Sequence, residues 1–200
     1  MDSLTDGITA VVLAGGKNTR FKGTDKAFVK IGGVPMVEHV VDRLAGIFEN
    51  ILIVTNSPGS YSGFSNIRVV TDIIKSAGPL GGIHAAMKAV KTPVIFVVSC
   101  DMPFIDPGII REQAELFAGL RNADVLIPRI NSKTEPLHGI YRASLAGRLE
   151  KYLSSCSDYS IRAFLKDIRA GYMDLPATAT VLKAFSNINS PRDFQDTLLK

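Results

Sequence analysis

The chain has 200 residues, of which 46% are hydrophobic, and this composition fits one globular domain of ordinary size with a single core. Its formal net charge of +4 is small, and the sequence has no long basic stripe with interleaved aromatic residues. Both features argue against a nucleic-acid groove. The two cysteines, Cys100 and Cys156, can form neither a disulfide framework nor a thiolate metal cage.

The N-terminal segment does not have the features of a targeting signal. Residues 1–6 contain two acids and no apolar core, and no apolar run elsewhere is long enough to span a bilayer. We therefore expect a cytoplasmic protein with no membrane partner and no nucleic-acid partner.

Strands and helices alternate through the first 120 residues. Short β-branched apolar runs predict strands, and apolar residues at helical spacing predict helices. The predicted strands cover residues 8–13, 51–55, 67–71 and 94–98, and the predicted helices follow Pro35, the glycine-rich loop 78–82 and the cap residue Asp106. This order implies a mostly parallel sheet with helices on both faces.

The later third is less regular. Its predicted elements are strands at 123–128 and 135–141 around a polar turn at 131–133, helices at 143–154 and 160–167, a short edge strand at 172–175, and a final helix that begins at residues 190–193. The histidines have no partners at metal-ligand spacing, and we interpret His138 as a structural residue of its strand.

The loop after the first strand predicts a phosphate site. Gly15 and Gly16 allow backbone amides to approach an anion closely. The basic residues of the loop are Lys17, Arg20, Lys22 and Lys26, which lie within ten residues of one another. The loop is neither a Walker A sequence nor a dinucleotide fingerprint. We therefore expect a nucleoside triphosphate, although glycine turns and surface lysines alone are also common in loops without ligands.

Polar residues follow the other predicted strands where those strands end. Asn56, Asp72 and Asp101 all occupy such positions, and ligands bind outside the carboxyl ends of the strands in open parallel sheets. Asp101 follows a wholly apolar strand, where a carboxylate suits Mg²⁺. The alternative is that Asp101 caps the turn before Pro103.

The opening loop resembles the signature of the molybdenum cofactor guanylyltransferases, L-A-G-G-x-x-x-R-M-G-G-x-D-K. The matching positions are Leu13, Ala14, Gly15, Gly16, Arg20, Gly23, Asp25 and Lys26. Phe21 replaces the methionine of the signature, and Lys22 replaces the first glycine of its later pair. Four further segments resemble family motifs, namely residues 78–82 (G-P-L-[AG]-G), 100–104 (C-D-x-P-[FY]), 135–142 (E-P-L-x-A-L-Y-R) and 187–191 (N-x-N-T-P).

The resemblance implies a three-layer Rossmann-like nucleotidyltransferase fold and magnesium-dependent transfer of GMP from GTP to molybdenum-molybdopterin. The implied catalytic residues are Arg20, Lys26 and Asp101, with Asp101 as the metal ligand. The implied nucleotide-binding residues are Leu13, Ala14, Gly15, Gly16, Lys26, Asn56, Asp72, Gly78, Pro79, Leu80 and Asp101. One domain over residues 1–200 is expected, with its nucleotide-binding part at about 8–120 and its acceptor-binding part at about 121–200.

The acceptor site implied by the resemblance lies near the C-terminus. Asn187 and Asn189 occupy alternate positions, so both side chains point the same way if the segment is extended. They either face molybdopterin or tie down the turn before the last helix. The resemblance also implies transient contact with other cofactor-biosynthesis proteins or with target molybdoenzymes.

Two alternatives remain open at the level of sequence. One is a related nucleotidyltransferase that uses CTP, or an acceptor such as a sugar phosphate, a methylerythritol phosphate or phospholactate. The other is a non-catalytic nucleotide-binding module, because a fold does not fix a function.

Overall fold

The computed structural model describes residues 5–15, 20–21, 24–64, 66–189, 193 and 197 of the chain. The strands are β1 (Ile8–Leu13), β2 (Arg20–Phe21), β3 (Thr24–Asp25), β4 (Lys30–Ile31), β5 (Val34–Pro35), β6 (Asn50–Val54), β7 (Arg68–Val70), β8 (Val94–Ser99), β9 (Val125–Ile130), β10 (Lys133–Thr134), β11 (His138–Arg142) and β12 (Ala170–Leu175). The α-helices are α1 (Met36–Ala45), α2 (Gly78–Ala89), α3 (Pro107–Gly119), α4 (Ala146–Ser155), α5 (Ile161–Leu165) and α6 (Ala179–Ala184). Short 3-10 turns cover Lys26–Phe28, Pro58–Tyr61 and Ala143–Leu145.

The sheet is mixed and mostly parallel, which confirms the predicted fold class. Its strand order is β10-β9-β11-β8-β1-β6-β7, and β12 pairs with β9. Strands β8, β1, β6 and β7 run parallel to one another, and β12 runs parallel to β9. Strand β11 is antiparallel to both of its neighbours, β8 and β9. Strand β10 is also antiparallel to its neighbour β9, so β10 and β11 run opposite to the other strands of the sheet.

Helices cover both faces of this sheet because the central strands alternate their side chains between two cores. In β1, Ala10 and Val12 belong to the core under α1 and α3, whereas Val11 and Leu13 belong to the core under α2, α4 and α5. These four residues are at most 7% exposed. Burial of each valine or leucine side chain contributes roughly 1.5–3 kcal/mol, so the two apolar layers hold the sheet edge in place.

The start of α2 differs from the expectation of a loop at residues 78–82. The helix begins at Gly78, so the Gly-Pro-Leu-Gly-Gly segment forms its first turns. Pro79 lies in the first turn, where its missing N–H has no helical partner to lose. Gly81 allows the helix to approach the preceding segment, because a Cβ at that position would be 2.9 Å from the carbonyl oxygen of Ile74. The glycines thus permit close packing of a helix rather than a flexible turn.

The other predicted strands and helices are present with small shifts, whereas α6 and the two-residue strands β2 to β5 and β10 have no counterpart in the sequence prediction. Strand β12 is longer than expected and starts at Ala170, and α5 starts after the cap residue Ser160, whose hydroxyl accepts a hydrogen bond from the backbone N–H of Ala163. The predicted start of a final helix at residues 190–192 lies outside the described residues. No helix in the described ranges is long and apolar enough to cross a membrane.

Candidate nucleotide site at the carboxyl edge of the sheet

The carboxyl ends of four parallel strands meet at one edge of the sheet. Leu13, the last residue of β1, pairs with Val54 of β6 on one side and with Ser99 of β8 on the other. Strand β1 is also the point at which the strand order reverses, since β6 and β7 follow it on one side and β8 lies on the other. Open α/β sheets bind ligands outside this point.

A pocket of about 520 Å³ opens at this edge. The residues that line it are Leu13, Ala14, Gly15, Val54, Thr55, Asn56, Ser57, Asp72, Ser76, Gly78, Pro79, Gly82 and Tyr159. Seven of the predicted nucleotide-binding residues are among them. Leu80 is not, because its side chain is fully buried in the core beneath α2.

Asn56 and Asp72 form a polar wall of the pocket. The side-chain amide of Asn56 donates to Oδ2 of Asp72 at 2.7 Å, and the Lys75 ammonium donates to Oδ1 of Asn56 at 2.8 Å. The amide of Asn56 is therefore oriented by a carboxylate on one side and a cation on the other.

Lys26, Asp101 and Asn189 converge on the other side of residues 13–15. The Lys26 ammonium donates to Oδ2 of Asp101 at 2.6 Å and to Oδ1 of Asn189 at 2.7 Å. The 3-10 turn Lys26–Phe28 carries the lysine, and Asp101 lies two residues beyond the end of β8. The three side chains come from distant parts of the chain, so their convergence is a product of the fold.

Backbone hydrogen bonds fix this cluster relative to the pocket. The N–H of Cys100 donates to the carbonyl oxygen of Leu13 at 3.1 Å, and the N–H of Ile188 donates to the carbonyl oxygen of Asp101 at 2.8 Å. Ile188 is buried, whereas Asn187 and Asn189 on either side of it are exposed. The segment thus directs both asparagines to the surface beside Asp101.

The Asp101 carboxylate has the properties of a cation ligand. Its Oδ1 atom is buried and has no hydrogen-bond partner among the described residues. Burial of a carboxylate oxygen without a partner is costly unless a ligand supplies one. Mg²⁺ prefers such oxygens and needs only one or two protein carboxylates, with phosphates and water as its other ligands. Within the described ranges, no group of three or more His, Cys, Asp and Glu side chains could hold a metal ion.

Glu135 belongs to the electrostatic environment of Asp101. The antiparallel register pairs His138 with Val98, and its continuation brings the segment that carries Glu135 alongside the residues after β8. Burial raises the pKa of the Glu135 carboxyl, the negative charge of Asp101 raises it further, and Arg162 opposes both effects. The sequence motif contained Glu135 but gave no reason to assign it to this site.

Some predicted site residues are not located by the structure. Gly16 lies outside the described residues, as do Lys17, Lys22 and Gly23. Arg20 forms part of β2, but its side chain is not described.

Three lining residues were not predicted from the sequence. Ser76 has a φ of 62°, a conformation that non-glycine residues rarely adopt, and no turn motif in the sequence predicts this conformation. Ser57 and Tyr159 follow structured elements in segments without any recognised pattern. Of these, only the strand-end position of Ser57 could have suggested the site.

Comparison with known proteins identifies the family. The sequence model described as the MobA-like NTP transferase domain matches residues 10–172, most of the chain. This chain belongs to the MobA-like NTP transferase family. The family resemblance of the sequence motifs is confirmed, and the chain is a nucleotidyltransferase.

MobA-like relatives match this chain over nearly its whole length. A probable molybdenum cofactor guanylyltransferase from Clostridium perfringens is 32% identical over 196 residues, which cover 96% of each chain. A molybdenum cofactor guanylyltransferase from Syntrophotalea carbinolica is 32% identical over 190 residues, which cover 94% of this chain and 89% of the relative. The crystal structure of molybdopterin-guanine dinucleotide biosynthesis protein A from Archaeoglobus fulgidus gives a TM-score of 0.77 at 25% identity, covering 94% of this chain and 96% of that one.

Proposed function

We propose that this MobA-like protein transfers GMP from GTP to molybdenum-molybdopterin and releases pyrophosphate. The observation that carries the proposal is the convergence of Lys26, Asp101 and Asn189 beside a pocket of nucleoside size. The names of the relatives support this choice of donor and acceptor. Residues 13–15 lie between the pocket and the cluster, so a nucleotide in the pocket would direct its phosphates toward Lys26.

The reaction needs orientation and charge neutralisation more than a protein nucleophile. An oxygen of the acceptor's terminal phosphate attacks the α-phosphorus of GTP in line, the bond between the α-phosphorus and its bridging oxygen to the β-phosphorus breaks, and pyrophosphate leaves. Lys26 would donate a charge-assisted hydrogen bond to a phosphate oxygen, and such a bond strengthens as charge shifts in the transition state. We assign a second phosphate contact to Arg20.

Asp101 would hold Mg²⁺ through its buried Oδ1 atom, which has no partner in the part of the chain that the structure describes. A bound Mg²⁺ neutralises negative charge on the phosphates of the nucleotide and the acceptor. Lys26 donates to the other carboxylate oxygen, Oδ2, and so orients the carboxyl group with Oδ1 available to the ion. The residues at the site therefore fit the proposed cofactor.

The nucleotide and the acceptor would bind to different parts of the chain. We propose that residues of about 8–120 bind the nucleotide through Leu13, Ala14, Gly15, Gly16, Asn56, Asp72, Gly78 and Pro79, and that Leu80 has an indirect part because its side chain is buried in the core. In this scheme Leu80 supports the helix from below. Residues of about 121–200 would bind molybdopterin through Asn187 and Asn189, because both lie on the exposed side of a segment that is anchored to Asp101.

Replacement of the acceptor-facing asparagine tests this division. We expect Asn187→Ala to raise the KM for the acceptor several-fold and to leave the KM for GTP unchanged, because Asn187 makes no described contact with Lys26 or Asp101. An Asn122→Ala variant, in the exposed turn before β9, is the control. A rise in the KM for GTP alone would reassign Asn187 to the nucleotide.

Product identification tests the proposed function as a whole. The protein is incubated with Mg²⁺, molybdenum-molybdopterin and each of the four ribonucleoside triphosphates, and the products are identified by mass spectrometry. We expect the guanine dinucleotide and pyrophosphate with GTP only. A cytosine dinucleotide would establish the other base, transfer to a different acceptor would establish another nucleotidyltransferase, and GTP binding without any transfer would establish a binding module.

A further inference from the structure

Tyr159 lines the nucleotide pocket from a part of the chain that carries none of the family motifs. The other lining residues come from the ends of β1, β6 and β7 and from the start of α2 and the segment before it. Tyr159 lies in the loop between α4 and α5 and is 38% exposed. It supplies the only aromatic ring among the lining residues that the structure describes.

The backbone around Tyr159 is held on both sides. The hydroxyl of Tyr152 donates to the carbonyl oxygen of Asp158 at 2.7 Å, and the Asp158 carboxylate accepts from the backbone N–H of Ser160 at 2.8 Å. The ring of Tyr152 is itself packed edge-on against Phe164, with ring centroids 5.1 Å apart. These contacts fix the position of the loop without using the side chain of Tyr159.

The Tyr159 side chain takes no part in holding its own loop. Within the described ranges, its hydroxyl makes no hydrogen bond and its ring stacks on no other ring. An aromatic side chain that is held at a pocket without packing into the core is available to a ligand. The rest of the pocket supplies backbone, short side chains and the polar pair Asn56 and Asp72.

We propose that Tyr159 stacks on the flat heteroaromatic base of the bound nucleotide. The inference rests on the proposed function, which assigns this pocket to GTP. Glycines on α2 allow a planar ring to approach the backbone closely, and a tyrosine ring contacts the face of such a ring with little loss of conformational entropy. The edge of the base remains accessible to the polar wall of the pocket.

A tryptophan reporter tests the contact directly. The chain contains no tryptophan, so Tyr159→Trp introduces a single fluorophore at the pocket. We expect GTP to quench its emission in a saturable manner. The matched control is Tyr172→Trp, because Tyr172 is similarly exposed at 41% but lies on β12 beneath the guanidinium of Arg129. Equal quenching of both variants, or none at Tyr159→Trp, would overturn the proposal.

Calorimetry separates stacking from phosphate binding. Base stacking on an aromatic ring predicts that Tyr159→Ala raises the Kd for GTP by roughly 5- to 100-fold, whereas Tyr159→Phe retains most of the affinity. Inorganic tripolyphosphate has no base, so its Kd is expected to be the same in Tyr159→Ala and in the unsubstituted protein. An unchanged Kd for GTP, or an equal loss of tripolyphosphate binding, would contradict the stacking role.

The same variants distinguish the nucleotide base from the pterin of the acceptor. If molybdopterin quenches Tyr159→Trp and GTP does not, Tyr159 belongs to the acceptor site and the inference is wrong. If the unsubstituted protein forms the dinucleotide while Tyr159→Ala binds GTP normally, only the inference fails. If Tyr159→Ala shows the predicted loss of affinity for GTP but the unsubstituted protein forms no product with any acceptor, only the proposed function fails.

Discussion

The Lys26 ammonium lies 2.6 Å from Oδ2 of Asp101, although 75 positions separate the two residues in the chain. Both side chains are mostly buried, with exposed fractions of 16% and 21%. A cation at this distance compensates the carboxylate, and the second carboxylate oxygen is buried without a partner among the described residues. In the proposed reaction, the pair would combine a donor for phosphate with a ligand for a divalent ion at one point on the sheet edge.

Loss of the Lys26 ammonium should affect turnover more than substrate affinity. We expect Lys26→Ala to lower kcat by about 100- to 1,000-fold, the range found when one donor to a developing negative charge is removed. The KM for GTP should change much less, because the donor acts most strongly in the transition state. Initial rates of pyrophosphate release measure both constants.

The control for this change is Lys133→Ala, which removes an exposed lysine from β10. It should leave both constants unchanged. A Lys26→Ala variant with normal kcat and a raised KM would assign Lys26 to ground-state binding only.

Two glycines in helices should respond to alanine in opposite ways. Gly147, in α4, is exposed, and a Cβ added there would meet no described atom within 4 Å, so Gly147→Ala should stabilise the protein by about 0.5–1 kcal/mol through helix propensity. At Gly81, in α2, a Cβ would be 2.9 Å from the backbone oxygen of Ile74. Gly81→Ala should therefore destabilise the protein by about 1–3 kcal/mol.

Urea denaturation of the two glycine variants gives both free energies of unfolding. If Gly81→Ala stabilises the protein as much as Gly147→Ala does, α2 does not pack against residue 74 as described.

His138 should make stability depend on pH. The ring is buried beside Phe96 and Phe185, and burial lowers its pKa from 6.5 to about 4. As the pH falls below 6.5, the unfolded chain binds a proton that the folded chain still excludes. The free energy of unfolding should therefore fall between about pH 6.5 and pH 4, and His138 should have no effect on the pH dependence above that window.

Comparison of the parent protein with His138→Leu isolates this contribution. The variant should lose less stability between pH 6.5 and pH 4, as measured by denaturant midpoints across that range. Some pH dependence should persist in the variant, because burial also lowers the pKa of His84. Parallel curves for the two proteins would mean that the pKa of His138 is the same in the folded and the unfolded chain.

The sequence was sufficient to predict the parallel part of the sheet and the position of Asp101. Strands β1 and β8 are continuous apolar runs because both faces are covered by helices, and such runs are recognisable without any contact information. A polar residue that follows a run of this kind must lie at the carboxyl edge, which is why Asp101 could be assigned to the site before its partners were known.

Other features of the site depend on contacts that a local pattern does not contain. The first turns of α2 read as a loop because glycine and proline lower helix propensity, and only packing against residue 74 explains them. Tyr159 follows a helix in a polar segment, so its approach to the pocket depends on how α4 packs on α2. Neither the hydrophobic periodicity nor a sequence motif indicates how close Tyr159 lies to the pocket.

The most direct measurement of the central claim is magnesium-dependent pyrophosphate release by Asp101→Ala, with GTP and molybdenum-molybdopterin at saturation. Asp174→Ala is the control, since it removes an exposed carboxylate that pairs with Arg129 on β9. We predict that Asp101→Ala folds normally and loses nearly all turnover, while Asp174→Ala retains it. Undiminished release by Asp101→Ala across the same magnesium titration would contradict the account.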